Sequence, residues 1–233
     1  MIQIDQQLLF LLNQKWTSPL LDRLLGTLSC MAFWIPFFAL GALWLVRKFR
    51  SRGLACVAVC AVCVLVNEEV ISSPLKKLTG RARPHQAQEG VRRIDLAQAS
   101  PRVLAAFKPV NIAYSGPPNP DDANKRSFPS SHTLNATALG LIFALFFRNR
   151  IWLLLPLLMA WSRVYTGAHW PSDVSASLLI GLLSNTLILL GAERLWRTGI
   201  APRQTNGLQP SLFFHTTTAP AQITEPQGPI DPL

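Results

Sequence analysis

The stretch that most constrains the fold of this chain is Leu24–Val46, "LLGTLSCMAFWIPFFALGALWLV", because it carries no charged residue. A run of about 20 apolar residues is long enough to cross the hydrocarbon core of a bilayer as a helix. Further apolar runs follow at Gly53–Val66, His132–Phe147, Ile151–Trp161 and Val174–Ala192. The sequence therefore predicts an all-α, polytopic membrane helix bundle with about five transmembrane helices.

Composition supports a membrane protein, since only 15% of the residues are charged. A soluble domain usually carries about a quarter, and a soluble all-helical bundle is the alternative. Ahead of the first run, "IDQQLLFLLNQKW" is predicted to form an amphipathic helix at the membrane interface. We expect residues 1–198 to form one membrane-embedded domain that includes a loop over residues 84–128. Residues 199–233 are rich in Pro, Thr and Gln and are predicted to be a disordered cytoplasmic tail.

The net charge of +10 is distributed over the connections between the apolar runs. This pattern favours contact with phosphate or anionic lipid, and we expect no nucleic-acid partner. Three of the four cysteines, Cys56, Cys60 and Cys63, have helical spacing within an apolar run. Such a stripe is typical of packing surface, so we predict neither a metal site nor a disulfide. No pattern predicts the oligomeric state.

The predicted orientation rests on the short connections "RKFRSR" and "RNR", which are strongly basic. Because short basic loops favour the cytoplasmic side, we expect these two connections inside. The 84–128 loop then lies outside the inner or plasma membrane.

Three polar clusters fall on this outer side when the predicted helices are counted. They are "KKLTGRARP" at 76–84, "FPSSHT" at 128–133 and "SRVYTGAHWPSD" at 162–173. Ionisable residues at a membrane border are costly to bury, and their presence favours a functional site.

The residue types in these clusters suit the binding of a phosphate group. Lys76, Arg83 and Arg163 supply three cations, of which the two guanidinium groups match phosphate oxygens in pairs. Ser130 and Ser131 are predicted to cap a helix, and Pro171 suits the first position of another. Two helix N-termini would then direct free amides at one anion.

The histidines supply a nucleophile and an acid. Asp173 follows His169 by four residues, and we expect its carboxylate to accept the Nδ1–H of the imidazole. Nε2 of His169 is then free to attack phosphorus, while His132 protonates the leaving oxygen. The cations hold the remaining oxygens in the transition state. We expect this chemistry to need no metal and no cofactor.

The order K-x6-RP, PSxH and SR-x5-H-x3-D resembles the type 2 phosphatidic acid phosphatase (PAP2) superfamily, over roughly residues 4–196. The resemblance implies His169 as nucleophile, Asp173 as its partner and His132 as acid. It implies phosphate binding by the cations and by the residues of the second motif. That second motif is commonly PSGH, and here a serine, Ser131, replaces the glycine. The question raised by this difference is whether the side chain of Ser131 fits in the phosphate pocket.

The resemblance implies hydrolysis of a lipid phosphate, with undecaprenyl diphosphate as the favoured substrate and a role in cell-wall biogenesis. Phosphatidylglycerophosphate, phosphatidate and lipid A phosphate remain alternatives within the family. An inactive membrane lipid-binding protein is an alternative from another class. A vanadium haloperoxidase shares the motifs, but those enzymes are soluble, and the apolar runs argue against that reading.

Four further features have open interpretations. The segment 107–127 is interpreted as a lid that selects the headgroup. Glu68 and Glu69 are interpreted either as ion-pair partners of a nearby cation or as carboxylates that tune Lys76 or Arg163. Lys77 and Arg81 are interpreted either as anchors at the membrane border or as contacts to the lipid headgroup, and His85 as a surface residue.

Overall fold

A computed structural model of the protein describes residues 3–118, 126–200 and 211–213, and most of these are helical. The α-helices are α1 (Gln3–Phe10), α2 (Pro19–Ser29), α3 (Met31–Leu65), α4 (Ser73–Thr79), α5 (Pro84–Ala87), α6 (Ser131–Phe146), α7 (Leu154–Tyr165) and α8 (Pro171–Leu195). Two strands, β1 (Arg92–Leu96) and β2 (Val110–Tyr114), form an antiparallel pair. Shorter π and 3-10 turns are Leu11–Lys15, Val66–Ser72, Arg102–Phe107, Arg150–Leu153 and Trp196–Ile200.

The N-terminal segment forms two helices, of which only the first was predicted. Helix α2 begins with Ser18 as its cap, whose side chain accepts a hydrogen bond from the Leu21 amide, and with Pro19 in the first turn. The chain leaves helical geometry at Cys30, with φ −88° and ψ 93°. The predicted start of the first membrane helix at Leu24 is therefore wrong, because the long helix begins at Met31. An uncharged run alone contains no signal for this break.

Helix α3 folds back on itself near Arg50, whose φ of 50° and ψ of −125° are not helical. A Cβ atom added to Gly53 would lie 2.0 Å from the carbonyl oxygen of Leu45. Residues eight apart in a straight helix are about 12 Å apart, so α3 consists of two segments that form a tight hairpin. Only glycine allows this close approach of the two backbones.

Two helical stretches are long and apolar enough to cross a membrane, Met31–Ala87 and Pro171–Gly199. Only 17% and 28% of their most apolar windows are buried inside the protein. Helices at the core of a soluble protein would be mostly buried, whereas these expose many leucines to the surroundings. Helix α6 is also apolar but shorter. The number of five crossings stays a prediction.

Helix α6 lies at the centre of the bundle and packs against α3, α7 and α8. Gly140 and Gly181 permit two of these contacts, since an added Cβ would lie 2.8 Å from Pro156 and 3.1 Å from Thr137. Cys56 and Cys63 are fully buried in the core on this part of the bundle. The cysteine stripe therefore packs inside the protein, as its spacing predicted.

A buried polar cluster fixes the β-hairpin and the N-terminal helices against α7. The guanidinium of Arg92 donates to both oxygens of Asp22 at 2.8 and 2.9 Å, and the hydroxyl of Tyr165 donates to the same carboxylate at 2.6 Å. The side chain of Asn13 exchanges two hydrogen bonds with the backbone of Arg92. Gly167, two residues after Tyr165, has a φ of +69°. A Cβ atom added there would clash with the carbonyl oxygen of Arg92. The hairpin thus holds the turn that precedes His169.

The structure describes five residues of the predicted disordered tail, and the prediction does not fit them: Gly199 and Ile200 end the turn Trp196–Ile200, and Ser211–Phe213 are buried. Leu212 and Phe213 are buried in the core. The Ser211 hydroxyl and the Phe213 amide donate to the two oxygens of Glu193, at 2.5 and 2.8 Å. An apolar Leu-Phe-Phe segment inside a polar tail was the available signal. The rest of that prediction falls outside the described residues.

Candidate active site

The residues predicted from the three sequence clusters meet at one end of the bundle, where α4 ends and α6 and α8 begin. Lys76 Nζ lies 2.6 Å from Ser131 Oγ, across 55 residues of sequence. The positive charge of Arg163 acts on both His132 and His169. The residues gathered here are Lys76, Arg83, Ser130, Ser131, His132, Arg163, His169 and Asp173.

Two helix N-termini point into this end, as the sequence predicted. Ser130 caps α6, and its hydroxyl accepts from the amide and the hydroxyl of Thr133 at 3.5 and 3.0 Å. Pro171 occupies the first turn of α8. The Ser130 amide donates to the Ser177 hydroxyl of α8 at 2.9 Å, which ties the two helix starts together. The positive ends of both helix dipoles therefore face the same region.

The imidazole of His169 is held by a residue that the sequence did not indicate. Its Nδ1 lies 2.6 Å from the carbonyl oxygen of Ser127, whereas the nearest oxygen of Asp173 is 4.0 Å away. The expected hydrogen bond from His169 to Asp173 is therefore wrong. His169 lies in the turn before α8, so the four-residue spacing does not bring the two side chains together as it would within a helix. The carbonyl accepts the Nδ1 proton and leaves Nε2 unprotonated.

Asp173 contacts Ser127, the residue whose carbonyl oxygen holds His169. Its carboxylate accepts from the Ser127 hydroxyl at 2.5 Å, from Arg81 Nη1 at 2.5 Å and from the Trp170 amide at 3.1 Å. The side chain is fully buried. Asp173 thus positions His169 through Ser127, whose carbonyl and hydroxyl contact the two groups.

Burial and the positive charges of Arg163 and Arg83 hold the pKa of His169 well below its usual value of 6.5. A base with a lowered pKa loses its proton at a lower pH, so the imidazole is neutral at pH 7. A neutral imidazole with a free Nε2 is the form that acts as a nucleophile.

Arg81 has a different role from the headgroup anchor that the sequence suggested. Its guanidinium bridges Asp173, at 2.5 Å, and Asp5 of α1, at 2.7 Å. Asp5 also accepts from the amide and hydroxyl of Ser172, at 2.8 and 2.5 Å. The N-terminal helix therefore completes the support of His169. Asp5 gave no sequence signal, because one acid in an amphipathic helix is normally a solvated residue.

Arg81→Gln is expected to lower kcat by about tenfold or more, because it frees Asp173 and Ser127 to move away from His169. It also leaves two nearly buried carboxylates without a cation, which costs about 3 kcal/mol of unfolding free energy. The measurement is phosphate release from a lipid phosphate, together with thermal unfolding in detergent. Lys77→Gln, an exposed cation in α4, is the matched control and should change neither.

The role of Arg81 is positional, so Arg81→Lys should recover part of kcat, and KM should change little in either variant. A KM that rises while kcat stays constant would instead mean that Arg81 binds substrate directly.

Ser131, where the family pattern has glycine, fits without displacing its neighbours. Its hydroxyl lies 2.6 Å from both Lys76 Nζ and Ser72 Oγ. The side chain is buried and points toward α4. The extra hydroxyl therefore fixes the position of Lys76.

The two arginines of the site lack the acidic partners that buried cations normally have. Among the described residues, no ion pair includes Arg83 or Arg163. Nε of Arg163 is buried and makes no hydrogen bond there. Cations placed together at such a cost are stabilised when an anion binds between them.

Glu68 forms no ion pair with any residue that the structure describes, so its interpretation as an ion-pair partner stays a prediction. Its Oε1 accepts from the side-chain amide of Asn135 at 2.8 Å. It lines a small pocket with Glu69, Lys76 and Lys77. The tuning of Lys76 by a nearby carboxylate stays a prediction.

A cavity of about 510 Å³ opens next to the two arginines. Its walls come from the α2–α3 junction, the β-hairpin and the turn between α7 and α8, with Cys30, Arg83, Asp95 and Arg163 among the lining residues. His85 also lines it and is half-buried, with Nδ1 3.0 Å from the Gly167 carbonyl, so its interpretation as a surface residue is wrong. Residues 110–114 of the predicted lid form a strand of the hairpin, and residues 119–125 lie outside the described structure.

Comparison with known proteins gives a family match and several relatives. The PAP2 superfamily matches residues 56–197. Lipid A 4'-phosphatase of Bacteroides thetaiotaomicron is 26% identical over 198 residues, which cover 82% of this chain and 78% of that protein. Undecaprenyl-diphosphatase of Sulfolobus acidocaldarius is 36% identical over 94 residues, or 38% of this chain and 44% of that protein.

Two solved structures share the fold. The crystal structure of Aquifex aeolicus LpxE aligns with a TM-score of 0.57 at 21% identity and covers 81% of this chain and 96% of that one. The phosphatidylglycerolphosphate phosphatase of Bacillus subtilis aligns with a TM-score of 0.55 at 19% identity, over 84% of this chain and 88% of that one.

Proposed function

The chain belongs to the PAP2 superfamily, and from that premise we propose that it is an integral membrane phosphatase that cleaves phosphate from a lipid through a phosphohistidine. The observation that carries the proposal is the site itself. A neutral, buried imidazole with a free Nε2 lies beside cations that have no carboxylate partner among the described residues. This combination suits a phosphate dianion and an attack on phosphorus.

In the first step, Nε2 of His169 forms a bond to phosphorus as the bond from phosphorus to the lipid oxygen breaks. His132 donates its proton to that leaving oxygen. Lys76, Arg83, Arg163 and the amides at the start of α6 stabilise the charge on the other oxygens.

In the second step, water attacks phosphorus and His132 accepts its proton. The bond from phosphorus to Nε2 breaks, and phosphate and free His169 are regenerated. The Ser127 carbonyl holds the Nδ1 proton throughout, so the attacking nitrogen keeps its orientation.

Undecaprenyl diphosphate is the first candidate substrate, because named undecaprenyl-diphosphatases are 36–41% identical over shorter segments. Those matches cover less than half of each relative. A lipid A phosphate is the second candidate, favoured by the match to lipid A 4'-phosphatase over most of both chains. The cavity of about 510 Å³ also has room for a headgroup larger than one phosphate.

A substrate panel in detergent tests this function. Undecaprenyl diphosphate, lipid A, phosphatidylglycerophosphate and phosphatidate are compared for release of inorganic phosphate by the purified protein. We expect kcat/KM for one of the first two to exceed that for the glycerophospholipids by at least about tenfold, or 1.4 kcal/mol. Phosphate release from none of the four would contradict the proposal.

We further propose five membrane crossings, from the two halves of α3 through α6, α7 and α8, with α1 and α2 at the interface. The active end then faces away from the cytoplasm, because the basic connections around Arg50 and Arg150 lie at the other end. Arg150→Cys, made in a protein in which Cys30 is replaced by Ser because Cys30 is a free, partly exposed thiol at the cavity, should react with an impermeant thiol reagent only after the membrane is opened. Reaction in intact cells would reverse the orientation.

A further inference from the structure

The cavity beside the catalytic cations extends well beyond the space that one phosphate needs. Its volume of about 510 Å³ lies within the usual range of sites for whole small molecules, about 300–1,000 Å³. A phosphate group has only five heavy atoms, so most of the cavity is left for other parts of a ligand. The chemistry of its far wall therefore bears on what the ligand carries.

That far wall is the outward face of strand β1. Burial alternates along the strand, so that Arg92, Ile94 and Leu96 are buried and the residues between them are exposed. Ile94 and Leu96 pack on Gly26 of α2, and the alternation exposes Arg93 and Asp95 at the rim of the cavity. The hairpin is thus anchored on one face and presents charges on the other.

Cations outnumber carboxylates on this wall. Arg93 and Arg102 both line the cavity, whereas Asp95 is the single acidic residue in its lining among the described residues. Arg93 contacts Asp95 at 2.9 Å, but both side chains are more than half exposed, so the pair is weak. Within the described part of the chain, Arg102 donates hydrogen bonds to the neutral Ala97 carbonyl and Gln98 side chain and to no carboxylate.

These charges lie near the catalytic cations. The charge of Arg93 acts on Arg83, and that of Asp95 acts on Arg163. Arg83 and Arg163 line the same cavity as Arg93 and Arg102, so a ligand whose reacting phosphate lies between the first two has room to reach the other two. Guanidinium groups form paired hydrogen bonds with phosphate oxygens, so this wall suits a second phosphoryl group.

We propose that Arg93 and Arg102 form a second anion subsite that binds a phosphoryl group other than the one that is hydrolysed. The inference rests on the proposed function and narrows it to lipids that carry two phosphoryl groups. The second group is either joined directly to the first, as in a polyprenyl diphosphate, or separated from it by a sugar headgroup, as in a bisphosphorylated saccharolipid.

Two matched substrate pairs test the subsite in purified protein. The pairs are undecaprenyl diphosphate with undecaprenyl monophosphate, and bisphosphorylated lipid A with its monophosphorylated form. Arg93→Gln combined with Arg102→Gln should lower kcat/KM about tenfold for the member with two phosphoryl groups in one pair. The other member of that pair should change less than about twofold, and the pair that responds identifies the spacing of the two groups.

Asp95→Asn supplies a test in the opposite direction, which still applies if the double variant folds poorly. Removing the carboxylate should raise kcat/KM by about twofold to threefold for the same substrate. Arg150→Gln removes one positive charge at the other end of α6 and is the matched control for net charge.

Equal effects on both members of each pair, or no effect of any hairpin variant, would overturn the subsite while leaving the phosphatase function intact. A wild-type protein that hydrolyses none of the substrates in these pairs, but releases phosphate from phosphatidylglycerophosphate or phosphatidate, would overturn the subsite alone. Phosphate release from no substrate in the pairs or in the earlier panel would overturn the proposed function and the subsite together.

Discussion

His169→Ala is expected to reduce phosphate release by about 10,000-fold or more, the usual cost of removing the nucleophile of a covalent mechanism. The imidazole forms the intermediate itself, so no neighbouring group replaces it. The measurement is single-turnover kinetics with a lipid labelled in its terminal phosphate. Wild-type protein quenched in alkali should retain label on a histidine, and the variant should retain none.

His85→Gln is the matched control for this experiment. His85 is also half-buried at the cavity, and its one hydrogen bond to a described residue joins Nδ1 to the Gly167 carbonyl. Its replacement should cost less than about tenfold and preserve the labelled intermediate. If His169→Ala retained label, another residue would be the nucleophile, and the mechanism through His169 would be wrong.

Arg163→Met is expected to have two effects of opposite sign. Activity should fall by about 100-fold to 1,000-fold, the usual loss when a group that stabilises transition-state charge is removed. The melting temperature should rise, because a half-buried cation that forms no ion pair with the described residues is replaced by an apolar side chain of similar length. Phosphate release and thermal unfolding in the same detergent measure the two effects.

Arg197→Met provides the contrast, since Arg197 is paired with Glu193 at 2.6 Å and lies far from the site. It should lower the melting temperature and preserve activity. Vanadate, a phosphate analogue, should raise the melting temperature of wild type more than that of Arg163→Met. Equal stabilisation of both proteins would mean that Arg163 does not contact the anion.

The residues that form the site are predictable from the sequence. Binding and cleaving a phosphate require particular residue types, and these residues stand in the order of the three motifs. Ser130 as a cap and Pro171 at a helix start follow from local rules, and both are confirmed. The roles of His169 and His132 in catalysis stay predictions.

The contacts behind His169 were not predictable in this way. Ser127 lies 42 residues before His169 and meets it only through the path of the loop. Arg81 and Asp5 are likewise brought together by tertiary packing, across 76 residues. Spacing along the chain describes partners within one helix, and these partners belong to different elements.

The burial of the tail segment has a similar explanation. Ser211–Phe213 is buried because Glu193 offers two acceptors at the end of α8. The average composition of residues 199–233 does not reveal that Ser211–Phe213 pack at a specific place on the bundle.

The bridge from Asp5 through Arg81 to Asp173 has a consequence for how the protein is made. A ribosome delivers Asp5 and Arg81 early, but Ser172, which contacts both, and Asp173, which contacts Arg81, emerge about ninety residues after Arg81. A nascent chain that ends before α8 therefore contains Arg81 without the carboxylate of Asp173 and lacks His169. Hydrolytic activity can therefore appear only after α8 has been made and its first turn has joined the N-terminal helix.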